Sequence, residues 1–396
     1  MSERTATVTV ANGMAGIDPA AWDRIANPDP AIYDPFVTHG FLLSLEESGS
    51  IAAKTGWRPR HLLVHGDDGA LAAAMPCYVK SHSMGEFVFD HGWADAFERA
   101  GGSYYPKLLC AVPVTPVPGR RFLVDPNGDA AQLQRTLIAG AIELTKQTKA
   151  SSLHITFLDP GQLPAAEAQG LLHRTGLQYH FTNAGFTSFD DFLATLASRK
   201  RKTLKRERRD AVLDGAIAIE WLTGGDIKPE HWDVFFAFYQ DTGGRKWGSP
   251  YLNRKFFTLL GERQAKDCLL VMAKRNGRYV AGALNMIGGE ALYGRYWGCL
   301  EHHPFLHFEI CYYQAIDFAI ARGLKRVEAG AGGEHKLVRG YEPMLTHSVH
   351  WIAEPRFRGA IADYLERERA HVEAQGEAMA DMTPFRKDLL REKGDG

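Results

Sequence analysis

Ionisable side chains are concentrated in one stretch of the chain, residues 302–343, which reads HHPFLHFEICYYQAIDFAIARGLKRVEAGAGGEHKLVRGYEP. They flank one apolar helix pattern and one short strand pattern, neither of which needs such a density of charge in order to fold. Catalytic groups lie preferentially on loops and element ends that a rigid scaffold holds in place. We therefore expect the wall of an active site here, with seven candidate side chains: His307, Glu309, Glu328, Glu334, His335, Lys336 and Arg339.

Proton transfer is the chemistry that four of these residues offer. His307 directly precedes the helix pattern and is interpreted as a general base or as a helix cap. Glu309, in the first turn, is interpreted as a base or as a partner of the helix dipole. Glu334 and His335 follow a turn in which glycines allow backbone conformations that other residues avoid. These four are the catalytic candidates.

Two cations at the end of the stretch are candidate substrate-binding residues. Lys336 follows the glycine turn, and Arg339 is interpreted as a partner of a phosphate or carboxylate group, or of Glu342. Glu328 ends the strand pattern, where a structural ion pair explains it equally well. The pattern alone leaves these alternatives open.

Aromatic and basic residues in two further segments are also substrate-binding candidates. On the strand pattern of residues 291–298, Arg295 and Trp297 share one face, because side chains alternate along a strand. Lys246, Trp247 and Tyr251 lie in a segment that we predict to be a loop, where exposed aromatic side chains indicate a ligand.

Charged groups in the first half suggest a surface that binds an acceptor. Lys80, His82 and Glu86 lie between two strand patterns, where a plain hairpin would need only a glycine and a polar neighbour. Metal binding is the weaker alternative for the histidines of the chain, because no HExxH or comparable ligand spacing occurs. We predict no metal cofactor.

A basic helix is predicted at residues 199–209, where eight of eleven residues are Lys or Arg in the sequence RKRKTLKRERR. One interpretation is a solvated helix face. The other is a binding site for phosphate groups of a nucleotide, a coenzyme or RNA, to which Arg201 and Lys205 would contribute.

Helix and strand patterns alternate along the chain and predict an α/β (α+β) fold. The length of 396 residues is typical of two domains, and we place them at residues 1–185 and 186–396. Among the strand predictions are 61–65, 71–79, 86–90 and 153–158 in the first half, and 268–274, 279–287 and 291–298 in the second. Helices are predicted in the first half at residues 130–148, from the helical spacing of apolar residues, and at residues 164–174. Arg275–Arg278 carries Asn-Gly at its centre and predicts a hairpin turn.

Composition excludes several classes of protein. The formal net charge of −1 gives no overall field for nucleic acid or membrane. Five widely spaced cysteines favour reduced thiols in a cytoplasmic protein. We find no pattern of a signal peptide or membrane span, and no P-loop or GxSxG motif. The oligomeric state stays open.

The sequence resembles the GNAT-related, FemAB-like predicted N-acyltransferases, a group often labelled peptidoglycan biosynthesis or recognition proteins. The resemblance covers nearly the whole chain and is carried by the opening stretch and by five other runs: GWRPRHL (56–62), YVKSHSMGEFVFDHGWADAFERAG (78–101), YYPKL (104–108), KWGSPYL (246–252) and ALNMIGGEALYGRYWGC (283–299). It implies tandem GNAT-like units that transfer an acyl or aminoacyl group to an amine.

Two departures from the family pattern affect the expected donor. The loop before His307 reads LEHHPF and lacks the glycines with which related acetyltransferases hold a coenzyme pyrophosphate. Acyl-CoA and aminoacyl-tRNA therefore both remain candidate donors. In addition, Gly332 stands in GAGGEHK where family members often have Gln.

The leading hypothesis is direct N-acyl transfer between a small-molecule donor, or a tRNA, and an amine acceptor such as a cell-wall precursor. A non-catalytic module that recognises such a precursor or RNA is the alternative. A hydrolase that uses Glu309 and Glu334 as a carboxylate pair is a third hypothesis, to which the resemblance gives no support.

Overall fold

The computed structural model describes residues 7–213, 217–247, 250–380 and 382–386, with the side chains of all these except Leu213, Arg245, Lys246, Trp247 and Glu334. The strands, in chain order, are β1 (Val8–Ala11), β2 (Trp57–Pro59), β3 (His61–His65), β4 (Leu71–Met75), β5 (Cys77–Lys80), β6 (Lys107–Cys110), β7 (Leu123–Val124), β8 (Ser152–Leu158), β9 (Leu172–Thr182), β10 (Ile217–Thr223), β11 (Cys268–Arg275), β12 (Arg278–Ile287), β13 (Ala291–Cys299), β14 (Arg326–Glu328) and β15 (Glu342–Ile352).

Helices alternate with these strands. They are α1 (Pro19–Ala26), α2 (His39–Glu47), α3 (His91–Arg99), α4 (Ala130–Gln147), α5 (Leu163–Glu167), α6 (Phe189–Ala194), α7 (Ser198–Leu213), α8 (Pro229–Trp247), α9 (Arg254–Gln264), α10 (Leu306–Phe308), α11 (Gln314–Ala321) and α12 (Pro355–Ala380). A π-helical turn, Glu309–Tyr313, joins α10 to α11, and a 3₁₀ helix spans Glu334–Arg339.

The chain divides into two compact units. Unit 1 comprises the chain up to Gly176 with Tyr251–Phe256 and Thr346–Glu373, and unit 2 comprises Leu177–Pro250, Phe257–Leu345 and the chain from Ala374 onward. Each unit therefore draws on segments that are distant in sequence. The simpler division into residues 1–185 and 186–396 stays a prediction.

Unit 1 contains a four-stranded antiparallel sheet in the order β1-β3-β4-β7 and a second group of strands in the order β15-β8-β6-β5-β2. In the second group β6 and β8 are parallel, and the other pairs are antiparallel. Helix α4 packs on this core with its apolar side chains Leu137, Ile138 and Ala141, all fully buried. Their helical spacing is what predicted α4 from the sequence.

Unit 2 is built on strands in the order β10-β11-β12-β13-β14-β9. The pairs β10-β11, β11-β12, β12-β13 and β14-β9 are antiparallel, whereas β13 and β14 are parallel. Helix α11 buries Ile316 and Phe318 against this sheet. Asn276 and Gly277 both have positive φ angles of 50° and 76° in the predicted hairpin turn between β11 and β12, as its tight geometry requires.

Three element predictions in the first half were wrong in their bounds or their type. The predicted strand 71–79 is two strands, because Pro76 cannot donate to the ladder and β4 and β5 enter different groups of strands. The predicted helix 164–174 ends at Glu167, and β9 already begins at Leu172. The predicted strand 86–90 has no regular structure.

The segment 81–90 of unit 1 has no strand pairing, and buried ion pairs hold it in position instead. Lys107 Nζ donates to Ser83 Oγ and Glu86 Oε2, both at 2.7 Å, and forms a short ion pair with Asp90. Burial raises the pKa of Glu86 to about 7, against the opposing effect of Lys107. For Asp90 burial also favours the neutral acid, but Lys107 outweighs it and holds the pKa of Asp90 below its usual value.

Lys80 is the second cation of this cluster, and its side chain is fully buried. Its Nζ donates to the carbonyl oxygen of Met84 at 3.1 Å, lies 3.8 Å from Glu86 Oε1, and sits 3.5 Å from the centroid of the Trp57 ring. Burial lowers the pKa of Lys80 to about 7, although Glu86 acts in the opposite direction.

No helix in the described part of the chain is long and apolar enough to cross a membrane.

Cysteines 77, 110, 268, 299 and 311 are all present as free thiols.

The replacement Lys80→Met tests the buried cation of unit 1. The folded pKa of about 7 lies below the ordinary value of 10.5, so the unfolded chain binds more protons between these two pH values. The free energy of unfolding of the unmodified protein should therefore rise with pH relative to that of the variant, by at most about 1.4 kcal/mol per pH unit. Urea unfolding at pH 7 and pH 9 measures this difference. The exposed Lys54→Met is the control, and parallel pH profiles for Lys80→Met and the unmodified protein would contradict the expectation.

Candidate active site

The parallel strands β13 and β14 separate after three residues. They pair only through Ala291–Tyr293 and Arg326–Glu328, while β13 continues to Cys299. Within β13 the pairing with β12 shifts register, so that Gly294 faces Asn285, Tyr296 faces Leu284, and Arg295 is an extra residue. This β-bulge bends the strand and redirects its side chains, as bulges near active sites often do. The alternation predicted for residues 295–297 is interrupted at this point.

A cavity of about 140 Å³ lies in unit 2 where the two strands separate. Its lining comes from β12, from β13, from the residue after β14, and from the helix that begins at Leu306. These residues are Ala283, Leu284, Asn285, Gly294, Arg295, Tyr296, Trp297, His307, Cys311, Tyr312 and Ala329. The cavity thus unites three candidates from the sequence, Arg295, Trp297 and His307, with residues that the sequence did not single out.

The π-helical turn brings His307, Cys311 and Tyr312 to this cavity together. In an α-helix residues four apart share a face, whereas the wider π turn also brings a residue five positions away onto it. The ring centroids of His307 and Tyr312 are 5.5 Å apart, and those of His307 and Trp297 are 5.1 Å apart. Burial raises the pKa of Tyr312 above the usual range of a phenol, so its hydroxyl stays protonated at neutral pH.

The glycine turn after β14 places His335 beside Tyr312. Gly330, Gly332 and Gly333 have φ angles of 72°, 75° and 94°. A Cβ atom at Gly333 would lie 2.4 Å from the His335 ring, so only glycine fits there. Nε2 of His335 lies 3.0 Å from the Tyr312 hydroxyl. His335 itself does not line the cavity, but it contacts Tyr312, which does.

Lys336 binds the glycine turn itself. Its Nζ donates to the carbonyl oxygens of Ala329, Gly330 and Ala331 at 2.7, 3.1 and 3.3 Å, which uses all three of its N–H bonds. Burial lowers its pKa to about 8. Substrate binding by Lys336 stays a prediction, because the cavity lining does not include it.

Arg339 is also engaged inside unit 2. It donates to Glu207 Oε2 at 2.8 Å and to the carbonyl oxygen of His335 at 2.6 Å, and its guanidinium lies 3.4 Å from the Phe308 ring centroid. These contacts tie the 3₁₀ helix to α7 and α10. Its predicted role in substrate binding is untested.

Glu309 is 3% exposed and faces the basic helix α7. Arg208 donates to both of its carboxylate oxygens, at 3.1 and 2.9 Å, and Gln314 donates to Oε1 at 2.7 Å. Glu309 does not line the cavity. The role of Glu309 as a base stays a prediction. Its contacts form an ion pair that holds the start of the helix in place. For Glu334, the side chain lies outside the described residues.

Helix α7 has two different faces. Leu204, Glu207 and Ala211 are buried, and Arg208 points inward to Glu309 and Asp317. The opposite face carries a row of exposed cations: Arg199, Lys202, Lys205, Arg206 and Arg209. Lys205 forms an exposed ion pair with Asp190 at 2.9 Å, and Arg201 is half-buried.

The remaining candidates of the first half belong to unit 1. Lys80 and Glu86 belong to the ion cluster inside unit 1, and Lys80 also contributes to a cavity of about 310 Å³ lined by Arg58 and Arg60. Nε2 of His82 lies 3.0 Å from the carbonyl oxygen of Thr55. Their roles in acceptor binding remain untested.

The predicted loop at residues 246–251 is partly helical. Lys246 and Trp247 are the last two residues of α8, and their side chains lie outside the described part of the structure. Tyr251 belongs to unit 1, is 37% exposed, and its ring centroid is 6.5 Å from that of Phe87.

Sequence reasoning missed Asn285, Cys311 and Tyr312. Asn285 is an amide within the apolar strand ALNMI, and that contrast was a usable signal. Cys311 and Tyr312 gave no such signal, because a π turn cannot be read from residue spacing. In the described part of the structure, no group of three or more His, Cys, Asp or Glu side chains could hold a metal ion.

Comparison with known proteins agrees with this architecture. The model of the FemAB-like family, whose description is peptidoglycan biosynthesis/recognition, matches residues 13–387. The crystal structure of FemX resembles the chain with a TM-score of 0.54 at 16% identity, over 87% of this chain and 98% of FemX. The C-terminal domain of a proposed lysylphosphatidylglycerol synthetase from Agrobacterium fabrum has a TM-score of 0.51 at 10% identity, over 88% and 95% of the two chains.

A tandem GNAT protein from the clavulanic acid biosynthesis pathway covers 89% of this chain and 99% of its own length, with 13% identity and a TM-score of 0.47. Comparison with curated proteins gives no match. The predicted fold, an α/β architecture of tandem GNAT-like units, is confirmed. At these identities the structural likeness concerns the fold alone.

The replacement Glu309→Gln distinguishes two roles of Glu309, that of an ion-pair partner of Arg208 and that of a catalytic base. It leaves Arg208 paired with the carboxylate of Asp317, so we expect a loss of about 1–3 kcal/mol in the free energy of unfolding. Activity measured well below the unfolding temperature should be retained. Denaturant unfolding and a transfer assay check the two parts, with the exposed Glu262→Gln as control. Unchanged stability with lost activity would instead support the catalytic role predicted from the sequence.

Proposed function

The chain belongs to the FemAB-like family, and from that premise we propose that it is an N-acyltransferase. It transfers an acyl or aminoacyl group directly to the amine of a small molecule or of a cell-wall precursor. The family description also covers recognition without catalysis, so the proposal depends on what the cavity of unit 2 can do chemically.

The arrangement of polar groups around that cavity is the observation that carries the proposal. His307 supplies a proton acceptor, Tyr312 a protonated hydroxyl, and Arg295 a positive charge, all on the lining of one cavity. Acyl transfer to an amine needs a base for the amine proton and donors for the oxygen that becomes negative. Both kinds of group are therefore available in one place.

Bond changes can be assigned to these residues without a covalent enzyme intermediate. The amine nitrogen forms a bond to the acyl carbon, and the π electrons of the carbonyl group move to its oxygen. When the carbonyl group re-forms, the bond to the leaving group breaks and its electron pair departs with a thiolate sulfur or a ribose oxygen. His307 accepts the proton of the amine, and the Tyr312 hydroxyl donates one to the leaving group. A proton then returns from His307 to Tyr312 through solvent, which restores both side chains for the next turnover.

The donor carrier is proposed to contact the exposed face of α7. Both acyl-CoA and aminoacyl-tRNA carry phosphate groups, and phosphate oxygens bind Lys and Arg by charge-assisted hydrogen bonds. The loop between β13 and α10 contains no glycine and so lacks the usual backbone cradle for a pyrophosphate. The exposed side-chain cations of α7 are the groups that we propose to hold phosphate in its place.

A transfer assay with a panel of donors and acceptors tests the proposal. The donors are acetyl- and propionyl-coenzyme A and glycyl- and alanyl-tRNA, and the acceptors are L-lysine, D-glucosamine and a nucleotide-linked muramyl peptide. We expect an acylated amine from at least one combination. Native mass spectrometry of the same preparation detects bound carrier. Binding of the muramyl peptide without turnover on any donor would favour the recognition module.

Replacing His307 with Gln tests the assigned base. Loss of a positioned base typically lowers the rate by about 10²- to 10⁴-fold, so we expect kcat to fall in that range while the fold is kept. The exposed His302→Gln, from the loop that precedes α10, is the control and should retain full activity. Equal activity in both variants would remove His307 from the mechanism.

The double replacement Lys202→Gln and Arg206→Gln tests the exposed cations of α7. Each phosphate contact that is lost should weaken binding of the carrier and reduce the slope of log affinity against log salt by about one. Fluorescence anisotropy with labelled tRNA and with labelled coenzyme A at several salt concentrations measures this slope. Arg208→Gln should lower stability instead, because Arg208 points inward. An unchanged slope for both carriers would exclude this face as their binding site.

A further inference from the structure

Asn285 is a buried amide with an unpaired side-chain nitrogen on the wall of the cavity in unit 2. It lies in the middle of β12, is 1% exposed, and lines the cavity. Its side-chain Nδ2 has no hydrogen-bond partner within the described part of the protein. Native proteins satisfy nearly all buried polar side chains, so such an exception requires an explanation.

Asn285 stands directly at the bulge of β13. Its pairing partner there is Gly294, and a Cβ atom on Gly294 would lie 3.6 Å from Asn285 Oδ1 and 3.4 Å from the carbonyl oxygen of Glu328. The bulge residue Arg295 follows at once and lines the same cavity. The amide is therefore held beside the point where β13 leaves β14, next to open space.

We propose, on the basis of the acyl transfer proposed above, that Asn285 is a catalytic residue. Its Nδ2 donates a hydrogen bond to the carbonyl oxygen of the acyl group in the cavity. When the amine attacks, the π electrons of that carbonyl move to the oxygen, and the bond from Nδ2 strengthens as the negative charge forms. It weakens again when the leaving group departs with its electron pair. A fixed donor of this kind stabilises the transition state more than the bound substrate.

The same lining restricts the acyl group in size and in charge. A cavity of about 140 Å³ is close to the roughly 150 Å³ that accommodates one benzene molecule in an engineered protein core, which corresponds to about six heavy atoms. Arg295 contributes its guanidinium to the lining, and no carboxylate is among the described residues that line the cavity. Burial raises the pKa of the nearby Glu328 carboxyl group against the opposing effects of Arg326 and Arg295, and Arg326 already binds this group. The ammonium of an aminoacyl group would therefore lie beside a guanidinium on the wall of the cavity. The acyl group that fits is small and carries no positive charge.

Two variants test the role of Asn285. Asn285→Leu has a similar size and no donor, and Asn285→Asp has acceptors only. We expect kcat to fall by about 10²- to 10³-fold in both, with the donor KM changed less than about tenfold. Asn285→Leu should be at least as stable as the unmodified protein, because it replaces an unpaired polar group in the interior.

Asn183→Leu is the matched control, since the Asn183 amide donates to the carbonyl oxygen of Leu324 at 3.0 Å. It should lose stability and keep its kcat. The role of Asn285 is overturned if Asn285→Leu keeps kcat within about threefold, or if it loses stability as Asn183→Leu does. Absence of transfer by the unmodified protein with every donor would instead refute the acyltransferase proposal, and with it this inference.

The charge of the acyl group is tested with two thioesters of one carrier, N-acetylcysteamine. Propionyl and glycyl groups have the same number of heavy atoms. The propionyl group ends in a methyl group where the glycyl group has an ammonium group. With the most reactive acceptor of the panel, kcat/KM should be at least about tenfold higher for the propionyl thioester. An equal or higher value for the glycyl thioester would overturn the restriction on charge and favour an aminoacyl donor.

Discussion

The early separation of β13 from β14 is the constraint on which the candidate site depends. If β13 and β14 stayed paired along the whole of β13, no space would open between the two strands. Here the pairing stops after three residues on each strand, and a bulge at Arg295 turns β13 away. The sheet opens without losing its other pairs, because β12 continues to pair with β13 as far as Cys299. Every group assigned to the chemistry lies on the edge of this opening or on the helix that faces it.

Unit 1 has a parallel pair of its own, but the space beside it is filled. Strand β6 ends at Cys110, and the chain after it returns to pair Gly119 with Leu158 at the end of β8. Val112, Val114 and Val117 of this segment are buried. The fully buried Arg121 donates to the carbonyl oxygens of Thr156 and Val117. Backbone pairing and Arg121 thus hold the segment from Pro113 to Gly119 against the end of β8.

Much of the architecture followed from the sequence, because it depends on local patterns. The hairpin at Asn276-Gly277, the helical spacing of α4 and the strands β11 to β13 were predicted within one or two residues. The segment 86–90 was not, since buried ions hold it and the sequence does not show which charges meet. The break between β4 and β5 at Pro76 was missed, because the prediction ran one strand through residues 71–79. The sequence also does not show that the two strands enter different groups.

The cavity of unit 2 contains only some of the residues that the sequence singled out, and the reason is geometric. Of the ionisable candidates at 302–343, His307 is the one whose described side chain lines the cavity. Many of the same charges, however, serve to build it: Lys336 holds the glycine turn, and Glu309 holds Arg208. The donors and acceptors that reach the cavity, Asn285 and Tyr312, look in the sequence like parts of an apolar strand and an aromatic helix. A bulge and a π turn, which change the direction of side chains by one residue, are what bring them to the cavity.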